Sequence, residues 1–153
     1  MKLLVASITE TVKTGYRFSR SSWPLHITFV PWFNIEQYDE LHKELAKTLS
    51  RRHAFQVTVG PKEMFGVKND VHVNTVSASV QIKSLHEELL TVVSKYAQIE
   101  NGRFAGKSYR PHITHQQGRG YEPGNIVTVE SVSVIKLISP GEAKVIDRHE
   151  LQK

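Results

Sequence analysis

The segment Leu25-His26-Ile27-Thr28-Phe29-Val30, bounded by Pro24 and Pro31, recurs in part at Pro111-His112-Ile113-Thr114-His115. Its β-branched and aromatic content between two prolines predicts a short strand. Side chains alternate on a strand, so His26, Thr28 and Val30 are expected on one face and Leu25, Ile27 and Phe29 on the other. His112 and Thr114 share a face by the same rule. Two copies of His-Ile-Thr, each just after a proline and near a strand start, suggest two pseudo-symmetric halves that each bring one His-x-Thr strand to a shared cleft.

Working outward, Leu3 to Ile8 reads as a strand and Thr9 to Ser22 as a loop. From Ile35, apolar Tyr38, Leu41, Leu45 and Leu49 recur at helical spacing, with Asn34 as N-cap and Arg51 and Arg52 at the C-terminal end. Ala54 to Val59 alternates as a strand that Gly60-Pro61 should break, and Val71 to Val80 supplies another. A second helix is expected over about Ile82 to Ile99, with Leu85, Leu89, Val92, Val93 and Tyr96 on its buried side. Asn101-Gly102 should end it, and the basic, glycine-punctuated stretch 102–110 leads to the second motif. Ile126 to Ile138 reads as a strand that pairs with Ala143 to Leu151 across Ser139-Pro140-Gly141. Strands and helices mixed in this order predict an α+β fold with antiparallel sheets, not a doubly wound parallel one.

With 153 residues, one compact domain spanning 1–153 is the expectation. Hydrophobic residues at 39% and charged residues at 23% are ordinary for a globular protein and exclude disorder, collagen and coiled coil. Lys plus Arg number 20 against 15 Asp plus Glu, and the net charge of +5 favours an anionic partner. Without cysteine, the chain has no disulfide, thiolate nucleophile or cysteine-ligated zinc. Its apolar start reaches Glu10 too early for a signal peptide and is too short to span a bilayer. A cytoplasmic protein that does not engage membranes is expected.

Two histidines facing one ligand suit phosphodiester cleavage, which needs a base for the attacking water and an acid for the departing oxygen. Imidazoles with a pKa near about 6.5 hold both roles near neutrality. Threonine hydroxyls can donate to the non-bridging oxygens, and this design requires no metal and no cofactor.

These motifs, the approach Tyr109-Arg110-Pro111-His112, and Gly60-Pro61-Lys62-Glu63-Met64-Phe65 followed by a strand resemble the two-histidine (2H) phosphoesterases. That family includes RNA 2′,3′-cyclic phosphodiesterases, also called 2′-5′ RNA ligases, and the resemblance spans most of the chain. It implies a bilobal fold with antiparallel sheets lining a central cleft and helices packed outside. It also implies that His26 protonates the leaving 3′ oxygen, that His112 activates water, and that Thr28 and Thr114 bind the phosphate. The substrate would be a nucleotide or RNA with a cyclic phosphate or 2′-5′ linkage, and a monomer is expected. His115 departs from the family's usual apolar residue. It should face away from His112 and Thr114, as a strand-end or surface residue and not a third catalytic group. The compact length implies less extended RNA-binding surface.

The remaining candidates each carry a simpler reading. Tyr109 would stack on a base or pack at the sheet edge, Arg110 would bind phosphate, and Phe65 would line a base pocket or make an ordinary apolar contact. Arg17, Arg20, Lys107 and Arg119 read as solvated loop charges before cleft residues, and Trp23 and Trp32 as packing residues. His42, His53, His72, His86 and His149 lack a metal-binding spacing and read as surface or half-buried. The rival functional class is a non-catalytic nucleotide or RNA-binding module with the same cleft. A second rival is a plain RNA-binding protein that uses the basic loops, in which affinity falls steeply with salt and hardly depends on His26 or His112.

Overall fold

The computed structural model describes residues 1–99 and 106–153; Asn101-Gly102 and the rest of the stretch to Ala105 lie outside them, as does the side chain of Lys107. The described strands are β1 Lys2–Ile8, β2 Arg17–Ser19, β3 His26–Asn34, β4 Phe55–Phe65, β5 Val71–Val76, β6 His112–Thr114, β7 Ile126–Val129, β8 Ser131–Ser139 and β9 Glu142–Glu150. Helix α1 spans Asp39–Leu49 and α2 spans Val80–Ser94, and a 3₁₀ turn covers Gly106–Ser108. The strands form one sheet in the order β2-β9-β8-β1-β3-β6-β5-β4-β7. Neighbours pair antiparallel throughout. The expected α+β class with antiparallel pairing is what forms, and β3 and β6, the two motif strands, meet at the middle of the sheet.

Both helices pack on one sheet face. Leu41, Leu45 and Leu49 of α1 and Ile82, Leu85, Leu89 and Val93 of α2 join Ile27, Phe29, Ile113, Val132 and Val134 in the main core. Each such side chain contributes about 1.5–3 kcal/mol through burial. Ser79 caps α2, its hydroxyl accepting from the Ile82 N–H at 3.3 Å. The other face carries a smaller cluster of Leu4, Ala6, Ile8, Phe18, Ile135, Ala143 and Val145, with Trp23 and Trp32 packed on it. Since Ile27 and Ile113 point to the helices, the residues flanking each of them point the other way. Among the described residues no helix is long and apolar enough to cross a membrane.

Several expected boundaries move. β3 does not stop at Pro31 but runs to Asn34, because a register shift opposite β1 takes up the proline: Val5 faces Val30, whereas Leu3 faces Phe33. A second shift precedes it, where Ala6 faces Thr28 and Val5 faces Val30. This bulge turns Val30 into the main core, off the face of His26 and Thr28. Asn34 therefore ends a strand instead of capping α1. The Ile35 N–H donates to the Met1 carbonyl at 2.9 Å, the Met1 ammonium donates back to the Ile35 carbonyl at 2.7 Å, and α1 starts only after Tyr38, without a side-chain cap. The loop before β3 contains β2, held to β9 with Phe18 buried.

Gly60-Pro61 bends β4 without breaking it. Phe55 to Thr58 pair with β7, Val59 to Phe65 pair with β5, and the register shift between Val59 and Lys62 accommodates the proline. A Cβ on Gly60 would lie 2.6 Å from Thr75 Oγ1 and 3.2 Å from the Thr75 carbonyl oxygen, so only glycine permits this close strand approach. The run 126–138 divides at Glu130 into β7, paired with β4, and β8, paired with β1 and β9. α2 ends at Ser94, short of Ile99, and leaves Tyr96 exposed with its hydroxyl donating to Glu44 at 2.8 Å. β9 pairs with β8 as expected.

Candidate active site

Ile27 lies opposite Ile113 where β3 and β6 pair antiparallel. Continuing that register sets His26 across from Thr114 and Thr28 across from His112, so a local two-fold axis relates the two motifs. Each histidine thus has its nearest threonine in the other motif, at the roughly 4.5–5.5 Å of facing strand residues. The two histidines occupy a diagonal of this strand pair, where neighbours lie about 7–8 Å apart and somewhat less at Cβ, close enough for both to reach one ligand.

Both imidazoles are oriented by the same device. His26 Nδ1 lies 2.8 Å from the Pro24 carbonyl and His112 Nδ1 lies 2.8 Å from the Arg110 carbonyl, each two residues upstream. A carbonyl only accepts, so Nδ1 carries the proton in both rings. Nε2 is then the nitrogen left for a ligand: a base when neutral and an acid when protonated. The Trp23 ring packs 4.9 Å from His26, and Phe65 packs 4.8 Å from His112. Burial lowers the pKa of both histidines. The carbonyl bonds oppose that shift, while the His112 charge adds to it at His26 and the Arg110 charge adds to it at His112.

The Thr28–His112 end opens into a cavity of about 530 Å³, within the range that takes a small organic ligand. Phe65, Tyr109 and Arg110 line it together with Thr28 and His112. Arg110 lies over the Phe65 ring at 4.6 Å and pairs with Glu63 at 3.2 Å, which keeps a cation at the rim. Leu4, Pro31, Met64 and Val71 add apolar wall that the sequence reading did not single out. Pro31 and Met64 adjoin the first motif and Phe65 in the sequence, whereas Leu4 carried no local signal.

Tyr109 does more than line the wall. Its hydroxyl donates to the Thr28 carbonyl at 2.9 Å and its ring stacks on His86 at 3.7 Å. One aromatic therefore ties the approach to the second motif to the backbone of the first. His86, expected at the surface or half-buried, is instead 1% exposed. Its Nδ1 donates to the Phe29 carbonyl at 2.8 Å, and its Nε2 accepts from the Gly106 N–H at 2.8 Å. That pairing fits only the neutral ring, and burial lowers its pKa despite the Phe29 bond. The contribution of His86 to stability is therefore complete above about pH 6.5 and is lost as pH falls through the lowered folded-state value. Urea unfolding at pH 7 and pH 5 should show the intact protein losing stability in this window and His86→Ala losing less. At pH 7 the variant should be about 2 kcal/mol less stable, because the buried Phe29 carbonyl and the partly buried Gly106 N–H lose their partner.

At the His26–Thr114 end, the loop after β6 braces the first motif. Arg119 makes two bonds to the Glu10 carboxylate, at 2.6 and 2.5 Å, and one to the Trp23 carbonyl at 2.8 Å, while Glu10 accepts the Leu25 N–H at 2.6 Å. Arg119 is thus engaged, not a solvated charge. Arg17 pairs with Glu142, and Arg20 reaches the Pro140 carbonyl and lies over Trp32. None of these three lines the cavity. Trp23 and Trp32 pack edge to face in the smaller cluster. His115 turns toward Asn74, its Nε2 2.7 Å from Asn74 Oδ1, on the face opposite His112.

The family model described as 2'-5' RNA ligase superfamily matches residues 4–127. Among solved structures, the fold is similar to TT0787 of Thermus thermophilus, with TM-score 0.64, 17% identity, and coverage of 99% of this chain and 98% of that one. It is also similar to E. coli LigT complexed with 3'-AMP, with TM-score 0.61, 14% identity, and coverage of 99% and 98%. A structure described as a phosphoesterase has TM-score 0.60, 15% identity and coverage of 99% of each chain. LigT has also been solved with phosphate, ATP and NADP+. No curated protein matches the sequence.

Proposed function

Since the chain belongs to the 2′-5′ RNA ligase superfamily, we propose that it hydrolyses a 2′,3′-cyclic phosphate, or a related cyclic or 2′-5′-linked nucleotide, without a metal at the reacting phosphate. The observation that carries this reading is the two-fold pair of histidines, each with Nδ1 tied to the carbonyl two residues upstream and Nε2 left for chemistry. Their opposed threonines supply donors for the phosphate. The nucleotide complexes described for LigT support a nucleotide in the cavity beside His112.

In this reading, His112 Nε2 takes a proton from water as the water oxygen bonds to phosphorus. The bond from phosphorus to the 3′ oxygen breaks, and His26 Nε2–H delivers its proton to that oxygen, leaving a 2′-phosphate. The Thr28 and Thr114 hydroxyls donate to the non-bridging oxygens, which gain charge in the transition state. Base or ribose contacts fall to Phe65, Tyr109 and Arg110. The same ring opening with a ribose 5′ hydroxyl in place of water forms a 2′-5′ linkage, and its reverse cleaves that linkage to the cyclic phosphate and a free 5′ hydroxyl. The protein acts as a single-domain monomer in the cytoplasm.

The test is turnover of a panel of nucleoside 2′,3′-cyclic phosphates, cyclic dinucleotides and 2′-5′ oligonucleotides in excess EDTA. Turnover that survives chelation, with a 2′-phosphate as the product of the cyclic monophosphates, is the expected result. Nucleotide binding without turnover on any substrate would favour the binding module instead.

A further inference from the structure

On the helix side of the sheet, away from the two motifs, three side chains converge from distant parts of the chain. His42 comes from α1, and Asp147 and His149 come from β9. A bulge in β9 brings this about. Val145 belongs to the smaller cluster on the motif side, yet the register then slips, so that Asp147 faces Val134 and His149 faces Val132, both in the main core beneath the helices. One ligand atom from each of the three residues lies within 4.8 Å of the others.

Two hydrogen bonds meet at the carboxylate, and one ring nitrogen of the cluster has no partner. His42 Nδ1 lies 3.0 Å from Asp147 Oδ2, and the Tyr38 hydroxyl donates to the same oxygen at 2.6 Å. His149 Nε2 is buried and makes no hydrogen bond, although a buried ring nitrogen ordinarily finds a partner. The His42 side chain is 43% exposed, so an ion can reach the cluster from solvent.

We infer that His42, Asp147 and His149 form a binding site for a divalent transition metal of the zinc type. Two imidazoles and one carboxylate suit Zn²⁺, with water in the fourth position. Zinc bonds of about 2.1 Å in a tetrahedron set ligand atoms roughly 3.4 Å apart, so a small side-chain adjustment closes the cluster. Tyr38 orients the carboxylate from outside the ligand set. The ion joins α1 to β9 and leaves the motif face untouched, so removing it does not stop the chemistry proposed above.

The probe is Zn²⁺ itself, titrated calorimetrically into the EDTA-stripped, tag-free full chain, with the thermal midpoint measured with and without metal. One ion per chain and a raised midpoint are expected. His149→Gln should weaken binding by more than the roughly 10- to 100-fold that loss of an outer partner costs, and Tyr38→Phe should fall within that range. Circular dichroism without metal verifies that both variants are folded. A chain carrying both His26→Ala and His112→Ala should bind Zn²⁺ like the intact protein. Absence of binding, binding unchanged in His149→Gln, or binding lost in the double variant would each overturn the site.

Discussion

Replacing either His26 or His112 with alanine is expected to lower kcat on a nucleoside 2′,3′-cyclic phosphate by about 10²- to 10⁴-fold, the usual worth of one positioned acid or base. The loss should appear in kcat more than in KM, because proton transfer occurs only in the transition state. The double variant should be far less impaired than the product of the two single losses predicts. Once one proton transfer is missing, the other has little left to assist. Folding should survive both substitutions, since each ring is half-buried beside the cleft and its Nδ1 bonds a carbonyl only two residues away. Single-turnover rates and circular dichroism on the same samples separate lost chemistry from lost structure.

The threonines come next in effect. Thr28→Val and Thr114→Val preserve the branched shape that suits a strand and remove only the hydroxyl donor. If these donors meet the non-bridging oxygens as their charge grows, each loss should cost roughly 10²- to 10³-fold in kcat. The loss at Thr28 should not come from its backbone, because the Tyr109 hydroxyl bonds the Thr28 carbonyl whatever the side chain. Steady-state kinetics of both variants on one cyclic phosphate measure the effect. Unchanged kcat in both would remove the hydroxyls from the mechanism.

The motif faces were legible in the sequence because strand alternation is local: with Ile27 and Ile113 inward, His26, Thr28, His112 and Thr114 must face outward. The two amphipathic helices were legible for the same reason, through Leu41, Leu45 and Leu49 and through Leu85 and Leu89. What escaped depends on partners distant in the chain. Pro31 and Pro61 look like strand breakers until the shifted registers opposite β1 and β5 are known. Glu130 looks like one more alternating position, although the chain changes strand partners there. His86 looks like a polar helix residue, yet its hydrogen-bond partners stand 57 and 20 residues away. The convergence of His42 with Asp147 and His149 required both a helix position and a bulge, and the Asp-x-His spacing on β9 was its only local trace.

The central claim is that the two histidines act as an acid–base pair on one phosphate, and the pH dependence of kcat/KM tests it most directly. Burial lowers both free-enzyme pKa values, so the bell-shaped profile should peak below about pH 6.5, its limbs belonging to the coupled pair. The acid limb requires a deprotonated base and the alkaline limb a protonated acid. His112→Ala should therefore lose the acid limb in its residual rate, and His26→Ala the alkaline limb. Both limbs persisting in both variants would contradict the account.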